Sequence, residues 1–169
     1  TQQIVASDVG STASSSSASD LLLVPQKCYS VLGSFADQVT YPTMIPKDSR
    51  DEDVEKRIWN ALDMVGLGQV CKNRGGLDAV DKWEDNLSLG EQQRLGVARL
   101  LFHRPRFGVL DECTDAVSMD IEEKMYASLQ EAGVTCITIS KRLTLEGFHA
   151  QELALGVNND KGWALTALH

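Results

Sequence analysis

The sequence predicts an α/β fold whose mostly parallel sheet carries helices as its connections. Three observations predict it. Apolar runs of strand length alternate with longer stretches of helical periodicity. The succession of strand, helix and strand between Phe107 and Ser140 calls for a parallel crossover. Two neighbouring acids, Asp111 and Glu112, follow directly on one apolar run, which places them at a strand's carboxyl end, the edge where open α/β sheets hold ligands. The chain is long enough for such a fold. Its 169 residues are 43% hydrophobic and 24% charged, and a chain of this size buries roughly 70% of its extended surface without disulfides or a structural metal.

Taken in order, residues 1–20 hold the Ser- and Ala-rich tract Ser11 to Ser19, too poor in large side chains to offset the entropy of ordering it, and read as a flexible loop. Leu21 to Val24 is a buried-strand pattern stopped by Pro25, and the stretch through Pro42 and Pro46 reads as loop and turn. Ser49-Arg50-Asp51-Glu52 has the form of a capping box. It opens a helix with Val54, Ile58, Ala61, Leu62 and Val65 at helical spacing and Gly66 as its stop. After the polar stretch Lys72 to Asn86, a second capping box, Ser88-Leu89-Gly90-Glu91, opens a helix bearing Leu95, Ala98, Leu101 and Phe102 and ended by Pro105. Phe107 to Leu110 is a strand, Ile121, Met125 and Leu129 mark a helix closed by Gly133, and Val134 to Ser140 is β-rich. Glu152 to Leu155 and Trp163 to Leu168 read as a final hairpin.

Charge and composition remove several functions. Lys and Arg number 16 against 24 acids, a net charge of −8, which argues against coating a nucleic-acid duplex. No apolar run approaches the ~20 residues of a bilayer-spanning helix. Cys28, Cys71, Cys113 and Cys136 form no C-x-x-C pair, no secretory signal precedes them, and the expectation is a reducing, intracellular setting. His103, His149 and His169 show no metal-ligand spacing and are read as solvated or helix-end residues. Cys113 is read as a packing residue, and Trp59 and Trp163 as core or interface anchors. The first residue, Thr1, suggests that the sequence begins inside a longer chain.

Two segments carry chemistry. The helix start at Ser88 is either a capped end and nothing more or an anion site, where unpaired amides and the helix dipole face a phosphate. Asp111-Glu112 is either a solvated acidic turn or a pair with divided labour, one acid holding Mg²⁺ and the other taking a proton from an attacking water.

Their order joins them. Leu87 to Arg94 resembles the LSGGQ signature of ABC-type nucleotide-binding domains, Phe107 to Glu112 resembles Walker B with its catalytic glutamate, Val24-Pro25-Gln26 resembles the Q-loop, and Thr114 to Asp120 the D-loop. The wording Gly33 to Pro42, His103-Arg104-Pro105, Leu110 to Thr114 and Ala116-Val117-Ser118 is similar to the peroxisomal, adrenoleukodystrophy-type subfamily D of fatty-acyl ABC transporters, and the likeness covers residues 21–169. The resemblance implies a P-loop NTPase-like ABC ATPase cassette that lacks its amino-terminal Walker A portion, with a helical subdomain at 34–105 and the Walker B and switch part of the sheet at 106–169.

It also implies ATP and Mg²⁺ as cofactors and two partners, a second cassette paired head to tail and a transmembrane domain, at the cytosolic face of the peroxisomal membrane. By position, Asp111 and Gln26 would orient Mg²⁺ and Glu112 would polarise the attacking water. Ser88, Gly90 and Glu91 would meet the nucleotide of the partner cassette, and Asp120 would belong to the segment crossing the dimer interface. Lys141 stands where the family has its switch histidine and would contact the γ-phosphate.

Three departures bear on activity. No G-x-x-x-x-G-K-[ST] occurs in the chain, Leu89 replaces the first signature glycine, and Lys141 replaces the histidine. The leading expectation is the carboxyl-terminal part of a cassette that hydrolyses ATP to import long-chain fatty acids or acyl-CoA, with no turnover by the chain alone. The alternative is a degenerate, non-catalytic cassette that donates a signature surface or only structure to a partner. A soluble ABC-type ATPase acting on nucleic acid is disfavoured by the acidic charge.

Overall fold

A computed structural model describes residues 3–6, 20–157 and 161–168. Among these residues six strands form one sheet: β1 (Gln3–Ala6), β2 (Leu21–Val24), β3 (Phe107–Asp111), β4 (Thr135–Ser140), β5 (Gln151–Leu155) and β6 (Trp163–Ala167). Their spatial order is β2-β3-β4-β1-β5-β6. The β2–β3 and β3–β4 pairs are parallel, whereas β1 pairs antiparallel with β4 and β5, and β6 with β5. Between β2 and β3 the chain is helical: α1 (Phe35–Thr40), α2 (Glu52–Met64), α3 (Gly68–Asn73), α4 (Trp83–Asn86) and α5 (Leu89–His103). A sixth helix, α6 (Met119–Glu131), connects β3 to β4.

Several elements differ from the sequence reading. Gln3–Ala6 is a strand and not part of a loop over 1–20, because the backbones of β4 and β5 supply hydrogen bonds on both of its sides, while the Ser-rich tract lies outside the described residues. Helix α2 is capped by Asp51, whose carboxylate accepts from the Val54 amide, and Ser49 sits in a preceding 3₁₀ turn, Lys47–Ser49, so the box read at Ser49 starts two residues early. At the other end Gly66 takes φ +68°, and Leu67 donates back to the Leu62 carbonyl at 2.7 Å, closing the helix as expected. The stretch read as loop before Pro42 contains α1, opened by a capping box between Ser34 and Asp37. Six residues give too few turns for periodicity to register.

The central helix is α5. From Gln92 to Phe102 every residue except Arg94 is buried, so it packs on all sides and not only along Leu95, Ala98, Leu101 and Phe102. It contacts α1, α2, α6 and β2, and so joins the helical part to the sheet. Its end is marked by Arg104 in the left-handed conformation, followed by Pro105. Trp163 lies on the outermost strand and is 42% exposed, so of its two readings, core or interface anchor, the core one is overturned. Trp59 is partly buried against the core. No helix of the described residues is long and apolar enough to cross a membrane.

His149 is not solvated. It is 2% exposed, its Nδ1–H donates to the Leu145 carbonyl at 2.7 Å, and its Nε2 accepts from the Thr138 hydroxyl at 2.9 Å, with the Tyr126 hydroxyl next in the chain. His103, at the end of α5 as expected, sets Nε2 against the carbonyls of Thr40 and Tyr41. Burial pushes both imidazoles below their ordinary range. The unfolded chain is then the better proton acceptor. Stability is therefore complete above the unfolded value of about 6.5 and is lost as pH falls below it toward the lower folded values. Denaturant midpoints are expected to drop across that interval, and the slope to become shallower in His149→Gln; a flat profile from pH of about 7 to about 5.5 would contradict the assignment.

Candidate functional site

Three parallel neighbours, β2, β3 and β4, point their carboxyl ends at one edge of the sheet, with Val24 in register with Leu110 and Asp111 with Ile139. The residues that leave these strands therefore meet. Gln26, just past Pro25, donates from Nε2 to Oε2 of Glu112 at 3.0 Å. Lys141, the first residue after β4, places Nζ 2.9 Å from Oε1 of the same carboxylate. Glu112 is the centre of the group, and each of its oxygens has a donor.

Its backbone is unusual. Glu112 adopts φ +44°, a left-handed conformation that costs a side-chain-bearing residue on the order of 1 kcal/mol, and its amide is tied to the Ile139 carbonyl at 2.9 Å. The turn lifts the glutamate side chain out of the strand's alternation toward Gln26 and Lys141. The hydrogen bond that the Lys141 ammonium donates to Glu112 holds its pKa above the ordinary range. Asp111, half-buried at the end of β3, has no hydrogen bond or ion pair to its carboxylate among the described residues. Beneath them Cys113 is buried, and desolvation drives its thiol far above the ordinary range, so it packs as a neutral thiol and is no nucleophile.

The amino end of α5 forms a second group. Ser88 is exposed and reciprocally capped with Glu91: the Ser88 amide and hydroxyl donate to the Glu91 carboxylate at 2.8 and 2.9 Å, and the Glu91 amide returns to the hydroxyl at 3.3 Å. An acid thus already sits at this helix end. Leu89 is 52% exposed. Gly90 has no room for a side chain, since a Cβ there would lie 2.7 Å from the Ala116 carbonyl oxygen. Asp120 stands exposed in the first turn of α6, where the Ser118 hydroxyl holds its carboxyl below the ordinary range.

Among the described residues, no direct hydrogen bond or ion pair joins the Ser88–Glu91 group to Glu112. Two residues that the sequence reading passed over connect their surroundings. Gln93, 1% exposed on α5, accepts from the Ala116 amide at 2.8 Å and donates to the Gln26 carbonyl at 3.4 Å. Arg142 donates to the Asp115 carbonyl at 2.8 Å, the Val117 carbonyl at 3.3 Å and the buried Glu122 carboxylate at 2.9 Å. A glutamine inside a helix carries no pattern that marks it as buried, and an arginine beside a lysine reads as surface charge, so neither gave a sequence signal.

The donor set fits the cation side of a nucleotide site. Mg²⁺ keeps several waters and takes one or two carboxylates together with phosphate oxygens, and Asp111 with the Gln26 amide oxygen provides hard oxygen ligands at the strand ends. No cluster of three or more His, Cys, Asp or Glu that would hold a metal unaided occurs among the described residues.

A mixed sheet whose three parallel strands carry adjacent acids at their carboxyl edge, a glutamine just past the neighbouring strand and a capped helix packed on the turn that follows define the fold of an α/β ATPase cassette of the P-loop NTPase type. The chain belongs to the ABC transporter family, whose profile matches residues 6–115. It is 39% identical to ABC transporter D family member 1 of Arabidopsis thaliana over 90% of this chain and 12% of that protein. It is 42% identical to ATP-binding cassette sub-family D member 3 of Homo sapiens over 76% of this chain and 20% of that protein. A bacterial Atm1-family ABC exporter with ATP bound shares the fold, with a TM-score of 0.64 at 21% identity over 78% of this chain and 23% of the exporter. The chain thus spans a fifth or less of the length of these two subfamily D relatives.

Proposed function

We propose that this chain is the carboxyl-terminal part of a cassette that hydrolyses ATP to drive import of long-chain fatty acids or acyl-CoA into peroxisomes, from the cytosolic face of the membrane. The observation that carries the ATPase reading is the meeting of Gln26, Glu112 and Lys141 at the ends of three parallel strands. The substrate and the organelle rest on the subfamily D likeness. When bound, ATP supplies the phosphoryl group and Mg²⁺ neutralises the charge that develops on it.

In this reading Asp111 and Gln26 hold Mg²⁺, and Glu112 orients water and accepts its proton. Each Glu112 oxygen keeps a lone pair beside its present donor, so water can reach the carboxylate, and the exposed Lys141 can swing toward phosphate. An ammonium there binds an anion but does not titrate near neutrality as imidazole does. Ser88, Gly90 and Glu91 face a nucleotide held by a second, head-to-tail cassette, and Asp120 lies at the interface between the two. A transmembrane domain is the other partner, and the net charge of −8 argues against nucleic acid.

A second reading, a non-catalytic cassette, is favoured by two observations: Lys141, in place of a titrating imidazole, is ion-paired to Glu112, and Leu89 presents an exposed side chain at the signature. Joining this chain to the phosphate-loop segment of a subfamily D relative separates the two. ATP turnover by the joined cassette is expected, with an increase in Lys141→His. No turnover in either protein would select the non-catalytic reading. The 169-residue chain alone is expected to bind nucleotide weakly, and micromolar affinity for a fluorescent ATP analogue would overturn that expectation.

A further inference from the structure

The contacts around Glu112 close into a ring. Glu112 takes a hydrogen bond from the Gln26 side chain, and the Gln26 carbonyl is reached by Gln93. Gln93 holds the Ala116 amide, and the carbonyls on either side of Ala116, those of Asp115 and Val117, are held by Arg142. Arg142 is the covalent neighbour of Lys141, which returns to Glu112. Two features argue that the ring is built. Gln93 is 1% exposed and spends its amide on two backbone groups distant in sequence, and Arg142 is anchored by Glu122, itself 1% exposed on α6. The turn Thr114 to Val117 carries its own internal bond, from the Val117 amide to the Thr114 carbonyl at 2.9 Å, which links its two ends.

We propose that Gln93 and Arg142 are positioning residues that tie both partners of Glu112, Gln26 and Lys141, to the single turn Thr114–Val117, so that releasing the turn on one side loosens the other. What the ring serves rests on the ATPase reading, but its existence does not, and the test needs no turnover. Amide exchange of Ala116 and Val117 is followed by NMR in the 169-residue chain, together with the Gln26 side-chain amide resonances.

In Gln93→Ala, Ala116 is expected to exchange at least tenfold faster, and Val117, which Gln93 does not touch, to quicken with it. In Arg142→Lys, which keeps a charge for Glu122 but loses the fork that grips two carbonyls, the same cross-effect is expected at Ala116. Gln93→Glu keeps the acceptor for the Ala116 amide and loses the donor to Gln26. Ala116 is then expected to stay slow while the Gln26 resonances shift. This nearly isosteric variant decides the matter if Gln93→Ala fails to fold. Acceleration confined to the amide that each residue touches, or Gln26 resonances unmoved in Gln93→Glu, would overturn the ring. Loss of ATP turnover in the joined cassette with the ring intact would instead count against the ATPase reading alone.

Discussion

Glu112→Gln is expected to lower ATP turnover of the joined cassette about 100-fold or more and to leave ATP bound, because the amide is close in size to the carboxylate but accepts no proton from water. The backbone should not move. Glutamine pays the same cost as glutamate at φ +44°, and the amide tie to Ile139 is untouched. One contact does change: the Lys141 ammonium loses the charge that holds it, while the Gln26 side chain keeps an oxygen to bond. The variant therefore removes the proposed base and frees the cation at once. Lys141→Ala separates the two, since it frees Glu112 without removing it. Turnover in Glu112→Gln equal to that of the parent would refute the role given to this carboxylate.

Trp83→Ala is expected to cost about 3–5 kcal/mol of unfolding free energy, the range for deleting a buried aromatic side chain. Trp83 is 1% exposed in the four-residue helix α4. Its ring stands edge-on to Phe35 at the start of α1, and its Nε1–H donates to the Gly33 carbonyl at 3.0 Å. Removing it empties a cavity between α1 and α4 and strands a carbonyl beside the Ser34 cap. It also reaches the second group of the site, since Leu87 follows on α4 and donates back to the Trp83 carbonyl just before the Ser88 cap. Denaturant titration of the variant checks the magnitude, and Trp83→Phe, which keeps the ring but not the indole donor, should recover most of it. A loss under about 1 kcal/mol would show that α4 does not hold the helical part together.

Trp83 also illustrates where reading along the chain stops. Trp59 and Trp163 draw attention as large apolar residues, yet the tryptophan that carries packing sits in a polar stretch, Lys72 to Asn86, and Trp163 is on the outer strand. Burial there is decided by α1 and α5 closing over a single turn of helix, and four residues contain no period to read. Asp51 and Ser49 differ for a related reason: two residues with capping side chains stand within one turn, and the preceding 3₁₀ turn decides between them. His149 looked like any polar residue near a chain end until Thr138 and Leu145 enclosed it.

What the sequence determined by itself is local and periodic: the strands β2 to β6 to within a residue or so, α2, α5 and α6, the stops at Gly66, Pro105 and Gly133, and the placing of Asp111 and Glu112 at a strand end. Those features follow from side-chain alternation, caps and breakers that act over a few residues. The tertiary structure alone decided that β1 slots between β4 and β5, that Glu112 turns left-handed with Gln26 on one oxygen and Lys141 on the other, and that Gln93 and Arg142 grip one turn from two sides. These contacts join residues far apart in the chain. A hydrogen bond over such a separation leaves no trace in local pattern, because it forms only when parallel strands in register bring their ends together.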